Sequence, residues 1–123
     1  VLTGTSADIP EANTVISIAK NAKVINLCGK TSINQLAALI KNCSVYISAD
    51  SSPLHIAAAV GTPVVALFGP TDPLRHMPWA NKFIVMRKDI ECSPCYKAHC
   101  KNNRCMSRIT VEEVLGAIEE LLR

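Results

Sequence analysis

The stretch Ser48-Ala49-Asp50-Ser51-Ser52-Pro53-Leu54-His55 concentrates residue types that hold an anion. Ser51 and Ser52 supply hydroxyl donors. His55 supplies a ring N–H or a positive charge. A Ser-Pro pair commonly opens a helix. A helix starting near Pro53 leaves the backbone N–H groups of Leu54 and His55 unpaired and outward, where the helix dipole favours negative charge. Asp50 would repel a phosphate, so it is expected either to hold the loop by accepting backbone N–H bonds or to bind a sugar hydroxyl. The plainer alternative makes Ser52 an N-cap and His55 a residue packed under the next loop.

A second segment, Phe68-Gly69-Pro70-Thr71-Asp72-Pro73, has the make-up of a pocket wall. Gly69 permits a tight exit and close ligand approach, and two prolines stiffen the loop. A rigid turn without a ligand fits the same residues. No Gly-x-Gly-x-x-Gly and no Gly-Lys-Ser/Thr follows any strand-like run, which disfavours standard dinucleotide and nucleoside-triphosphate sites. No Ser/His/Asp or Cys/His constellation is evident.

Cys92, Cys95, Cys100 and Cys105 crowd one short polar segment, with His99 beside Cys100. Zinc chelation, disulfides and reduced cysteines packing an irregular loop all fit that spacing. The spacing lacks two clean zinc knuckles, and a reducing cytoplasm disfavours disulfides. The segment lies far from Asp50 and Gly69 in sequence. It is expected to stabilise a loop, not to catalyse.

These residues need a frame, and the apolar pattern supplies one. Val24–Cys28, Val45–Ser48 and Val64–Phe68 are short β-rich runs, nearly continuous in apolar character, as strands covered on both faces must be. Lys82–Met86 is a weaker run expected near an edge. Asp8-Ile9-Pro10-Glu11 carries helix-start signals ahead of an apolar stripe of Val15, Ile16, Ile18, Ala19 and Ala22. Ser32-Ile33-Asn34-Gln35 has the form of a capping box. A third helix runs from Ser52-Pro53 through three alanines to Gly61. Thr110-Val111-Glu112-Glu113 caps a last helix with Val114, Leu115, Ile118, Leu121 and Leu122 on its apolar face. Alternation of this kind predicts an α/β fold: a three-layer, Rossmann-like parallel sheet with helices on both faces.

Composition narrows the classes. A net charge of +3 with 19% charged residues is too weak for a dedicated nucleic-acid binder. The 49% hydrophobic content excludes a disordered chain. No apolar run is long enough to span a membrane. Val1-Leu2-Thr3-Gly4 reads as a strand already in progress, so the chain is expected to be cut from a longer protein whose missing part precedes Val1.

The runs Asp50–Ala59 and Gly61–Pro73, taken with Cys92-Ser93-Pro94-Cys95, Cys100, Arg104-Cys105-Met106, Gly29–Ser32 and Val1–Gly4, resemble the carboxyl-terminal domain of glycosyltransferase family 9, the ADP-heptose:lipopolysaccharide heptosyltransferases. The resemblance covers essentially the whole chain. It implies half of a GT-B enzyme: residues 1–123 as one partial donor-binding domain, including a Cys-rich loop at 87–108 and a terminal helix at 110–122. It implies that Asp50, Ser51, Ser52 and His55 contact the diphosphate and sugar of ADP-heptose. Asp8 would hold the adenosine ribose, and the backbone around Thr31 would read the adenine edge. Ser52 stands where the family usually has Gly. Its Cβ would crowd the pyrophosphate, or its hydroxyl would replace a water.

The resemblance further implies that the catalytic base and the lipopolysaccharide-core acceptor site lie on an absent amino-terminal domain, so no catalytic residue is expected here beyond His55 as leaving-group stabiliser. No cofactor, metal or nucleic acid is expected, and the implied location is cytoplasmic, peripheral at the inner face of the bacterial inner membrane. A nucleotide-binding module without chemistry and a zinc-stabilised interaction domain centred on Cys92–Cys105 are the competing classes.

Overall fold

In a computed structural model, residues 1–20 and 22–123 are described. They fall into two compact units, Val1–Leu39 and Ile40–Arg123.

In the first unit, extended residues near Val1 run parallel to those near Asn26. Leu2 and Asn26 form one parallel bridge. The Leu2 N–H donates to Ile25 O at 2.8 Å, and the Leu27 and Gly29 N–H groups donate to Leu2 O and Gly4 O, each at 2.9 Å. The strand expected at Val24–Cys28 is therefore shortened to a single bridge. Its partner turns into a 3-10 turn at Ser6–Asp8, so the ladder has nothing further to pair with.

Helix α1 (Ile9–Ile18) follows, with Asp8 at its N-cap position. Its expected apolar stripe is largely uncovered: Val15 is 46% and Ile18 73% exposed, while Ala12 is buried. Helix α2 (Ile33–Lys41) opens on the expected capping box. The Ser32 N–H donates to Gln35 Oε1 at 2.9 Å, and the Gln35 N–H donates to Ser32 Oγ at 3.3 Å. These bonds satisfy two of the donors that a helix start leaves orphaned.

The second unit holds β1 (Tyr46–Ala49), α3 (Ser52–Ala59), β2 (Val64–Phe68), α4 (Pro73–His76), β3 (Phe83–Arg87), α5 (Arg104–Ser107) and α6 (Val111–Leu122). The three strands form a parallel sheet in the order β1-β2-β3, pairing Ile47 with Val65 and Ala66 with Val85. Strand β2 is central. Val64, Val65, Ala66 and Phe68 are fully buried, as a strand covered on both faces requires. Val65 packs with Ala117 and Leu121 of α6. Side chains alternate along a strand, so Val64, Ala66 and Phe68 face the opposite layer, and α3 lies against β1 and β2 with Leu54 and Ala57 buried. Burying β2's aliphatic side chains contributes about 1.5–3 kcal/mol each.

Strand β1 departs from expectation. Its burial alternates and Ile47 is 43% exposed, because β1 is an edge of the sheet among the described residues. Strand β3 also lies at an edge, as expected. Thr110 and Glu113 close the predicted capping box: the Glu113 N–H donates to Thr110 Oγ1 at 3.2 Å and the Thr110 N–H to Glu113 Oε2 at 2.8 Å. Lys88, just past β3, pairs with Glu113 and ties the α6 start to the sheet. Among the described residues no helix is long and apolar enough to cross a membrane.

Candidate functional site

Parallel sheets present their loops, and hence their ligand sites, at the carboxyl ends of the strands. In the second unit two such loops follow β1 and β2. The first runs from Ala49 to His55. Ser51, not Ser52, is the N-cap of α3, in extended backbone conformation. Its hydroxyl does not cap the helix. It donates to Ala49 O at 3.2 Å and lies 3.1 Å from Ser48 Oγ. The Leu54 N–H, expected to be free, donates to Ser51 O at 3.0 Å, because the first turn is tightened into an i to i+3 bond.

Asp50 makes no hydrogen bond or ion pair among the described residues. Of the two roles expected for it, holding the loop is therefore not the one it performs. His55 is exposed in the first turn of α3, which removes the core-histidine alternative. Ser52 is exposed as well. Asp50, Ser51, Ser52 and His55 thus share one short loop and helix start.

The second loop is held from behind. Asp72 caps α4 by accepting from the Leu74 N–H at 3.0 Å. Ser93 Oγ donates to Gly69 O at 2.7 Å, and the N–H groups of Cys95 and Tyr96 both donate to Pro70 O, at 2.9 and 2.8 Å. A Cβ on Gly69 would lie 2.6 Å from Met106 Sδ and 3.1 Å from Cys105 Sγ. The side of Gly69 on which a Cβ would stand is filled by the Cys segment. The segment remote in sequence lies directly against the second loop. Thr71 Oγ1 is buried without a hydrogen-bond partner.

No disulfide joins any of the six cysteines. Among the described residues no group of three or more His, Cys, Asp or Glu side chains is placed to hold a metal ion. The zinc constellation of Cys92, Cys95, Cys100 and Cys105 is therefore not assembled. Cys105 is buried against the Gly69 loop while Cys92 and Cys100 face solvent. Short intervals along the chain did not become short distances around one point, because the segment bends back onto the sheet end.

The first unit carries its own loop pair. Asp8 Oδ2 accepts from Thr5 N and Thr5 Oγ1, both at 2.7 Å. These two bonds, the hydroxyl's first, hold the Asp8 carboxyl below its ordinary value. Asp8 stands at the N-cap position of α1, but its side chain makes no capping bond to that helix. Gly29, at φ +70°, brings the second loop against Ser6, where a Cβ would lie 3.0 Å from Ser6 Cα. The loops bearing Asp8 and Thr31 therefore adjoin, and Thr31 is half-buried.

Comparison with known proteins now decides the lineage. The model of glycosyltransferase family 9 (heptosyltransferase) matches residues 1–106. The chain belongs to glycosyltransferase family 9. It is 36% identical over 116 residues to lipooligosaccharide heptosyltransferase 2 of Campylobacter jejuni, covering 90% of this chain and 36% of that protein. It is 34% identical over 116 residues to lipopolysaccharide heptosyltransferase 3 of Escherichia coli, covering 94% of this chain and 34% of the relative. Among solved structures it resembles the E. coli ADP-heptose lps heptosyltransferase II, at a TM-score of 0.83 and 30% identity over 98% of this chain and 35% of that one. A family 9 glycosyl transferase from Veillonella parvula aligns at a TM-score of 0.74, also with 30% identity, over 98% of this chain and 35% of that one. The α/β, Rossmann-like reading stands with these matches. The family 9 chain described here spans about a third of the length of the relatives it matches.

Proposed function

We propose that residues 1–123 serve as the nucleotide-sugar-binding domain of a GT-B transferase that moves heptose from ADP-heptose to a lipopolysaccharide core acceptor. In this reading the catalytic base and the acceptor site lie on the amino-terminal domain, and the enzyme works at the cytoplasmic face of the inner membrane. The observation that carries the proposal is the Ala49–His55 loop of a family 9 chain, with an uncommitted carboxylate and an exposed histidine at one helix start.

The task of such a site is to stabilise the diphosphate that leaves as the glycosidic bond breaks. His55 and the α3 N-terminus face that growing negative charge with a ring donor and a partial positive charge. The Ser52 hydroxyl donates to a phosphate oxygen, and the Ser51 O–H turns from Ala49 O to do the same. Asp50, free of loop bonds, accepts from a sugar hydroxyl. Asp8 and the loop at Thr31 receive the ribose and adenine.

Calorimetric titration of the intact protein with ADP tests this reading. Binding of ADP, weakened by Ser51→Ala, is the expected result. Absence of ADP binding to folded protein overturns it.

A further inference from the structure

Beyond the carboxyl end of β2 lies a cavity of about 810 Å³, the size of a small-molecule site. Pro70 and residues between Cys92 and Cys105 line it, and none comes from the Ala49–His55 loop. Its charge is one-sided. Lys97, Lys101 and Arg104 line it, and no Asp or Glu does. None of the three cations forms a salt bridge among the described residues. Arg104 also borders a smaller hollow, lined by Asp89, Glu91 and Arg108 as well. Lys97 and Lys101 have no acidic neighbour along the cavity wall. His99, Asn102 and Asn103 add side-chain hydrogen-bonding groups suited to hydroxyls.

We propose that this basic cavity binds a phosphorylated sugar, with Lys97, Lys101 and Arg104 holding the phosphate and the Asn and His side chains the ring hydroxyls. Arg and Lys bind phosphate through charge-assisted bonds, Arg with a planar fork of donors. The inference deepens the transferase reading, and rests on it only in calling the ligand a sugar. A sugar phosphate differs from the ADP expected at the α3 start, and the two ligands can be tested apart.

The cavity contains its own reporter. Cys100 lines it and is exposed. Its Sγ accepts from the Asn103 N–H at 3.4 Å. That contact first, then the Asn102 N–H, and then the charges of Lys97 and Arg104 hold the thiol below its ordinary value. A bound phosphate covers the thiol and offsets those charges, so both effects slow attack on a neutral alkylating agent, for which the thiolate is the nucleophile.

The test follows iodoacetamide labelling of Cys100 by mass spectrometry in the intact protein, with Cys43, which does not line the cavity, as internal control. Glucose 6-phosphate at ten times its Kd is expected to slow Cys100 labelling about tenfold, since only the free fraction reacts. Glucose should give no protection, and K97Q/K101Q/R104Q, three exposed substitutions, should abolish it. Equal protection by glucose, no protection by glucose 6-phosphate, or protection by ADP at lower concentration than by glucose 6-phosphate would overturn the proposal. ADP binding seen without glucose 6-phosphate protection leaves the transferase reading standing and this one refuted. The reverse result supports the cavity and refutes the ADP site.

Discussion

The two units place an aspartate at comparable points, on the loop that follows an extended segment, and treat it in opposite ways. Asp8 is tied down by both the backbone and the hydroxyl of Thr5. Asp50 accepts nothing from its surroundings. A carboxylate that already accepts two short bonds steadies its loop and has less capacity to offer a ligand. One left uncommitted beside an anion-favouring helix start weakens its own loop's case for stability and strengthens its case for binding. The Asp8 carboxylate thus steadies its loop through Oδ2, while the Asp50 carboxylate leaves both oxygens uncommitted.

Substitutions can break or sharpen that contrast. The largest effect is expected at His55, on the uncommitted side. On the proposed function, His55→Ala removes a charge-assisted bond to the leaving diphosphate, a loss of roughly 1.5–3 kcal/mol. That corresponds to about 10- to 100-fold in turnover of ADP-heptose by the intact protein, with little change in melting temperature, because the charge it meets grows as the bond breaks. Near-normal turnover in folded His55→Ala protein would remove the phosphate role.

Next is Gly69→Ala, which adds a methyl where Met106 Sδ would be 2.6 Å away. Overpacking of this kind costs about 1–3 kcal/mol, read as a lower melting temperature. An unchanged melting temperature would mean that the Cys segment is not packed on this loop. Asp50→Ala should leave the melting temperature unchanged and weaken donor-sugar binding by one hydrogen bond, about 0.5–1.5 kcal/mol, seen by titration with ADP-heptose but not with ADP. A lowered melting temperature instead would show Asp50 holding its loop after all.

The smallest effect belongs to Asp8, which is exposed. Its lowered folded value means that its stabilising contribution is complete above the ordinary carboxylate range. It is lost as pH falls through the folded value. Asp8→Asn should therefore lower the melting temperature slightly at neutral pH and flatten its decline in acid. Identical acid profiles for the two proteins would break the contrast from the other side.

What was legible in the sequence follows the range of the physics involved. Val64–Phe68 announced β2 to the residue, because a strand buried on both faces needs a continuous apolar run. Ser32 with Gln35 and Thr110 with Glu113 announced two helix starts, because a capping box is closed within four residues. Val24–Cys28 carried the same apolar signal as β2 and formed one bridge, since pairing depends on a partner elsewhere that turns away. Asp72-Pro73 held a helix-start signal that was read only as a stiff turn. The freedom of Asp50, the exposure of His55 and the seating of Ser93, Cys95 and Met106 on the Gly69 loop depend on contacts or on their absence, and no local pattern records them.

The seating of Met106 on Gly69 also constrains how this chain can change. The space that a methyl at position 69 would need is filled by a side chain thirty-seven positions away. A chain with Ala at 69 must therefore shorten or swing aside residue 106, whereas glycine at 69 accommodates Met106 in its present seat. The two positions are thus coupled in one direction: a loop carrying Ala at 69 can be grafted only beside a residue 106 that leaves that space open.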